Sequence, residues 1–121
     1  MSGLESKSFD TPEEKRPFVD KGGAEVVTLG GNVVLKGRFE PGWRWSEHVR
    51  PIAGTDSCQS HHLLYVLSGR MGVRMNDGTE GEVGAGDVAR IEPGHDAWVL
   101  GEEACVTVDF AASPAYAKPA D

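Results

Sequence analysis

This chain has few cysteines, few basic residues and no long apolar run. Two cysteines in 121 residues, Cys58 and Cys105, are too few for a disulfide framework, so both are expected to be thiols. Twelve Lys and Arg residues against nineteen Asp and Glu residues give a net charge of −7, which argues against nucleic acid as a partner. The apolar runs fall well short of the roughly 20 residues that span a bilayer, and the N-terminus has no basic region followed by an apolar one. These absences predict a cytoplasmic protein that binds neither nucleic acid nor a membrane.

The composition instead favours a small domain rich in strands and turns. A chain of 121 residues suits one domain with one hydrophobic core. Sixteen glycines and seven prolines suit an all-β domain better than a helical bundle, and no stretch supports a long amphipathic helix. We predict a polar N-terminal arm over residues 1–22, a folded domain over residues 23–111 and a flexible tail over residues 112–121.

Short apolar runs separated by turn residues indicate about nine antiparallel strands. The turns include Gly30-Gly31, Ser68-Gly69 and Pro93-Gly94. The predicted strands are 24–29, 33–39, 43–49, 58–67, 70–75, 81–83, 87–91, 97–100 and 104–110. Strands this short and numerous predict a barrel or jelly roll.

Two glycine-containing segments resemble the motifs of a known family. Residues 65–69, Tyr-Val-Leu-Ser-Gly, look like the end of the first cupin motif, and Gly86-Asp87 followed by Pro93-Gly94 looks like the second. The chain thus resembles the small single-domain bacterial cupins over residues 24–110. The resemblance implies an all-β cupin jelly-roll barrel, a homodimer and a small molecule bound inside the barrel. Oxygenase, isomerase and lyase activities all occur in that family.

The ligand residues of the two motifs differ from the usual cupin set. That set has two histidines and a glutamate in the first motif and one histidine in the second. Counted back from Gly69, the glutamate position falls on His62 and the second histidine falls near Cys58. The histidine position of the second motif falls on Ala97, and His95 lies two residues earlier.

Strand parity nevertheless predicts a metal site from the residues that are present. Cys58 and His62 share one strand face, and His95 shares a face with Ala97, the position that normally points inward. One thiolate and two imidazoles suit zinc best, with iron, copper, manganese or nickel as alternatives. The other interpretations stay open: Cys58 as a small core residue, His95 as a turn cap, and a site without metal.

Further polar and aromatic residues are candidates for the chemistry and the pocket wall. Glu47 and His48 are the predicted catalytic residues, and Glu92 is a further candidate for a fourth ligand or a proton-transfer group.

Trp43 and Trp45 share strand parity and predict an aromatic wall for a ligand with an apolar body and a polar or cationic head. The predicted substrate-binding residues are Trp43, Trp45, Tyr65 and Trp98. His61, on the face opposite His62, is expected to lie on the exterior or at a subunit contact.

Two classes of function remain open from the sequence. The first is a metal-dependent enzyme in which His62, His95 and Cys58 hold the metal while Glu47 or His48 moves a proton. The second is a binding or sensing module for a small molecule, without catalysis and without metal. In either class we expect a homodimer, because Phe9 and Phe18 lack an obvious use in a polar arm.

Overall fold

A computed structural model describes residues 3–111 and Tyr116, and these residues form two antiparallel β-sheets with two short helices. The strands are β1 Glu14–Pro17, β2 Gly22–Leu29, β3 Asn32–Phe39, β4 His62–Ser68, β5 Arg70–Met75, β6 Glu80–Gly84, β7 Val88–Ile91, β8 His95–Val99 and β9 Cys105–Asp109. The helices are α1 Trp45–His48 and α2 Arg50–Ala53. In the part of the chain described, no helix is long and apolar enough to cross a membrane.

The two sheets face each other across the hydrophobic core. Six strands form one sheet in the order β1-β2-β3-β9-β4-β7, and three form the other in the order β6-β5-β8. Alternate residues of β4, β8 and β9 are buried, as the strand period of two requires when one face covers a core. The all-β jelly roll predicted from the sequence is therefore confirmed.

Two segments differ from the predicted strands. The strand predicted over residues 43–49 is wrong: an Arg44–Trp98 bridge is followed by the helical turn of α1. Trp45 stays buried in that turn, so packing and not an extended backbone keeps its ring inside. Residues 58–61, predicted as part of a strand, lie outside β4, and Cys58 is held by a single bridge to His95.

The predicted polar arm contains a strand and a core residue. β1 pairs with β2, and the Phe18 ring stacks on Phe39 with 5.4 Å between centroids. Buried Arg16 forms an ion pair with Glu14. The arm predicted over residues 1–22 is therefore corrected: it contains a strand of the larger sheet and a ring of the core.

Of the tail predicted over residues 112–121, positions 112–115 and 117–121 lie outside the described residues, and the Tyr116 ring is buried.

The predicted homodimer stays a prediction. One of the two phenylalanines on which it rested, Phe18, is buried within the chain itself. The outer face of β4 and β7 instead exposes Leu63, Tyr65, Leu67 and Val88 to solvent.

Gly69 is the residue at which the chain passes from β4 in one sheet to β5 in the other. Its φ is +77°, and a Cβ there would lie 2.3 Å from the carbonyl oxygen of Ala104. Gly78, in the turn after β5, has a φ of +94° but open space around a Cβ. Substitutions at the two glycines therefore distinguish the cost of a left-handed backbone, which both share, from the cost of steric overlap, which arises only at Gly69.

We predict that Gly69→Ala lowers the free energy of unfolding more than Gly78→Ala does. Both substitutions force an L residue into the left-handed region at a cost of about 1–2 kcal/mol. Overlap with backbone atoms should add roughly 1–3 kcal/mol at Gly69 alone. Urea denaturation of the two variants and the wild-type protein measures the difference, and equal losses would contradict the steric argument.

Candidate functional site

A small cavity lies in the core between the two sheets. Its volume is about 30 Å³, where a water molecule needs roughly 10–15 Å³ by the same kind of measure. Most of its wall is apolar, and the polar side chains converge at one place. The polar groups on the wall come from Cys58, His62, His95, Thr107, Asp109 and Tyr116, together with the indoles of Trp43 and Trp45.

Three potential metal ligands meet in this cavity from three parts of the fold. His62 begins β4 in the six-stranded sheet, and His95 begins β8 in the three-stranded sheet. Backbone hydrogen bonds fix Cys58 beside His95: Cys58 N donates to His95 O at 2.7 Å, and Gly94 N donates to Cys58 O at 2.7 Å. The cluster therefore connects the two sheets.

The donor atoms are spaced as a transition-metal site requires. Sulfur and ring nitrogens of Cys58, His62 and His95 all lie within 4.8 Å of one another, and Cys58 Sγ is 3.7 Å from His62 Nε2. In a tetrahedral zinc site with usual bond lengths, sulfur and nitrogen ligands are about 3.6 Å apart. One thiolate and two imidazoles are a donor set for zinc, iron or copper, whereas magnesium and calcium prefer oxygen. The residues present thus fit a transition metal.

Both imidazoles are held through their Nδ1 atoms, which leaves Nε2 for a ligand. His95 Nδ1 is 2.8 Å from the carbonyl oxygen of Glu92, and because a carbonyl only accepts, Nδ1 must donate. His62 Nδ1 forms a hydrogen bond with Asp109 Oδ2. Metal-binding histidines are commonly oriented in this way by a carbonyl or carboxylate on the far nitrogen.

Asp109 is the buried carboxylate that orients His62. It lies opposite Leu64 in the pairing of β9 with β4, and only 2% of its surface is exposed. Its second oxygen, Oδ1, accepts from the backbone N–H of Leu63 at 3.1 Å and of Ala111 at 3.0 Å. Three donors thus stabilise this carboxylate in the core, as a buried charge requires.

Cys58 and His62 form a buried thiolate–imidazolium pair. Burial opposes ionisation of Cys58, but hydrogen bonds from His62 and His95 outweigh it and lower the pKa of the thiol from 9.0 to about 6. Burial likewise opposes protonation of His62, but the hydrogen bond to Asp109 and the contact with Cys58 raise its pKa from 6.5 to about 9. At pH values between these two pKa values, the thiol of Cys58 is therefore ionised and the imidazole of His62 carries the proton.

The two shifts act on stability in opposite directions with pH. The lowered pKa of Cys58 stabilises the fold at high pH, and this contribution is lost as the pH falls through about 6. The raised pKa of His62 stabilises the fold at low pH, and this contribution is lost as the pH rises through about 9. Between pH 6.5 and 9.0, folded and unfolded chains each hold one proton on this pair. The pair alone therefore predicts a nearly constant stability in that window.

Tyr116 lies edge-on to the His62 ring, with 5.5 Å between the ring centroids. Burial, together with the nearby charges of Cys58 and Asp109, raises the pKa of its phenol well above 10.0. The backbone carbonyl of Tyr116 accepts a 2.9 Å hydrogen bond from Arg16 Nη1. The phenol therefore keeps its proton at neutral pH while the ring forms part of the cavity wall.

The structure brings together some of the residues singled out in the sequence. Cys58, His62 and His95 form the cluster, and Trp43 and Trp45 line the same cavity. His61, which directly precedes His62 in the sequence, is exposed, as expected.

Other predicted site residues lie outside the cavity, and their expected positions are corrected. Glu47 is exposed on α1, and His48 Nδ1 accepts from Arg44 N at 3.0 Å. Tyr65 is exposed on the outer face of β4, and Trp98 packs under Arg44 on the outer face of β8. The predictions for Glu47 and His48 assumed a strand end that faces the mouth of the barrel, whereas residues 45–48 are helical. Tyr65 and Trp98 lie on strands, but on their outward faces.

Two residues of the site were not predicted from the sequence. Asp109 could have been found, since Cys105, Thr107 and Asp109 alternate inward along β9 and a carboxylate at an inward position needs a partner. The position of Tyr116 had no such signal. It lies beyond the last strand, where no periodicity indicates what the side chain contacts.

We predict that the metal-free protein contains one thiolate at pH 8. Its ultraviolet thiolate absorbance should rise with a midpoint near pH 6, because Cys58 ionises there. The other thiol does not interfere, since burial and the Glu103 charge raise the pKa of Cys105 to about 11. Cys58→Ser should abolish the absorbance at pH 8, Cys105→Ser should preserve it, and His62→Ala should move the midpoint upward. A chelator-treated protein with no thiolate at pH 8 would contradict the ion pair.

Comparison with known proteins identifies the fold. No family model and no curated protein matches the sequence. Among solved structures, an uncharacterised conserved protein with a double-stranded β-helix domain from Klebsiella pneumoniae is 25% identical, with a TM-score of 0.60 over 94% of this chain and 93% of that one. The polyketide cyclase RemF from Streptomyces resistomycificus is 18% identical, with a TM-score of 0.63 over 90% and 79% of the two chains.

A third similar structure is the oxalate decarboxylase of Lactobacillus farciminis in complex with formate. It is 18% identical, with a TM-score of 0.60 over 88% of this chain, which spans 33% of that larger protein. These neighbours and the two antiparallel sheets agree with the resemblance of the motifs around Gly69 and Pro93-Gly94. The chain has the double-stranded β-helix fold of a small cupin.

Proposed function

We propose that this protein binds one transition metal through Cys58, His62 and His95, and that the cavity around this centre binds a small molecule. The convergence of three ligand atoms within 4.8 Å, with both histidines held through Nδ1, carries the proposal. Zinc is the favoured metal because the donor set combines a thiolate with imidazoles. Three protein ligands leave a coordination position open, as catalytic sites do.

The residues of the chain support metal-dependent catalysis on an oxygen-containing ligand. A divalent ion in this position would polarise an oxygen of the bound molecule. Asp109 holds the His62 ring in place, and Tyr116 supplies a protonated phenol at the cavity wall. Two similar structures are enzymes, a polyketide cyclase and an oxalate decarboxylase, so the fold accommodates catalysis. A fold alone does not assign a reaction, and oxygenase, isomerase and lyase activities remain within the proposal.

A metal-free binding module is the second candidate, and one observation favours it. The thiolate of Cys58 and the imidazolium of His62 neutralise each other without any metal. The contact between Cys58 and His62 is therefore compatible with a stable protein that binds no metal. The cytoplasmic location predicted from the sequence remains a prediction under either function.

We predict about one transition-metal ion per chain in protein purified without chelator or affinity tag. His62→Ala and His95→Ala should each abolish stoichiometric binding, because two ligands cannot hold the ion as three do. His61→Ala is the matched control, since this neighbouring histidine is exposed and lies outside the cluster. Elemental analysis of the four proteins after metal-replete expression measures the effect.

Two results would reject the metal centre. One is metal far below one ion per chain in the wild-type protein, which would favour the metal-free module. The other is equal metal content in the wild-type protein and in His62→Ala, which would place the ion elsewhere on the chain. Loss of metal in His61→Ala as well would show that the substitutions act through folding.

A further inference from the structure

Two buried hydrogen-bond donors in the cavity wall have no acceptor from the described residues. Trp43 Nε1 and Trp45 Nε1 are both inaccessible to solvent, and no described acceptor lies within hydrogen-bond distance of either. Both indoles line the cavity that contains Cys58, His62 and His95. A buried N–H without an acceptor destabilises the fold, so two of them on residues that line one small cavity indicate a bound group with acceptor atoms.

Aromatic packing alone does not account for the indole N–H groups. Trp43 packs against Phe39 and Phe18, with centroid distances of 4.5 and 5.7 Å, and these rings fill the same region without a polar atom. The tryptophan backbones are also held firmly. Trp43 O accepts from Val99 N at 3.0 Å, and Trp45 O accepts from Val49 N at 2.9 Å. The backbones that carry the two indoles are therefore fixed, while their N–H groups have no acceptor from the described residues.

The polar groups of the cavity favour an anion over a cation. The Asp109 carboxylate already accepts from His62, Leu63 and Ala111, so its negative charge is compensated. The indole N–H groups of Trp43 and Trp45 are donors without an acceptor from the described residues. The unpartnered groups of the wall thus favour a ligand that accepts hydrogen bonds, whereas the aromatic residues alone predicted a polar or cationic head group.

We propose that the cavity binds a small carboxylate whose oxygens accept hydrogen bonds from Trp43 Nε1 and Trp45 Nε1. This inference rests on the proposed function, because the carboxylate would occupy the position beside the metal ligands. A volume of about 30 Å³ admits only a few non-hydrogen atoms. Formate, with three, is therefore the best probe of the site, and propionate is a probe that exceeds it.

Nuclear magnetic resonance of the zinc-loaded protein tests the inference directly. The chain has three tryptophans, so a ¹⁵N-labelled sample gives three indole N–H signals. On titration with sodium formate at constant ionic strength, the signals of Trp43 and Trp45 should move downfield as their hydrogen bonds form. The signal of Trp98 should stay in place, because this indole lies outside the cavity against Arg44. Propionate at the same concentration should move none of them.

Conservative variants measure the contribution of each donor. Trp45→Phe and Trp43→Phe keep an aromatic ring but remove the N–H, and each should weaken formate binding about tenfold or more, since a hydrogen bond to a charged group contributes about 1.5–3 kcal/mol. Zinc content should not change. Trp98→Phe is the matched control and should bind formate like the wild-type protein.

The outcomes separate this inference from the proposed function. Zinc bound at one ion per chain without a response of the two indole signals to formate would overturn the inference and leave the metal centre intact. Equal formate affinity in the wild-type protein and both cavity variants would also overturn it. A chain that binds no zinc would overturn the metal centre and, with it, the carboxylate site. The titration of the wild-type protein with formate tests the carboxylate site by itself, even if a tryptophan variant fails to fold.

Discussion

The hydrogen bond between His62 and Asp109 is the contact on which the site depends. It joins β4 to β9 inside the six-stranded sheet and uses Nδ1 of the ring, so that Nε2 faces Cys58. Without a buried acceptor at this nitrogen, burial would favour the neutral imidazole. The carboxylate thereby determines the orientation and the charge of His62, and through His62 it lowers the pKa of Cys58.

On the proposed function, a metal and a proton would compete for the same atoms in this arrangement. In the metal-free chain, the Cys58 thiolate is formed near neutral pH because the proton resides on His62. Metal binding requires a neutral imidazole, so it must release that proton while the sulfur is already ionised. In the metal-free chain, the positive charge of His62 lies between the negative charges of Cys58 and Asp109. A divalent ion in place of the proton would add one positive charge, so that its two charges would balance the thiolate and the carboxylate. On the proposed function, this exchange would make the buried Cys/His/His cluster compatible with a stable fold with and without the metal.

The sequence predicted the sheets and the cluster because both follow from short-range patterns. Turn residues such as Gly69 and alternation along β4 and β8 decide which side chains point inward, and His62 and His95 follow that parity. Cys58 lies before β4 and is placed beside them by its bridge to His95. Glu47 and His48 were misplaced because a helical turn at residues 45–48 breaks the period of two. Asp109 was overlooked although its inward parity was visible, and the burial of Tyr116 depends on tertiary packing that no local pattern encodes. Local regularity thus predicted the scaffold, whereas the groups that tune the site come from distant parts of the chain.

X-ray absorption spectroscopy of the zinc-loaded protein tests the proposed metal ligands, because it reports the atoms bound to the metal. We expect one sulfur at about 2.3 Å and two imidazole nitrogens at about 2.0–2.1 Å, with the remaining coordination from a lighter atom. Cys58→Ser should remove the sulfur contribution, and Cys105→Ser should leave it unchanged. A wild-type spectrum with only nitrogen and oxygen neighbours would contradict the assignment of Cys58, His62 and His95 as the metal ligands.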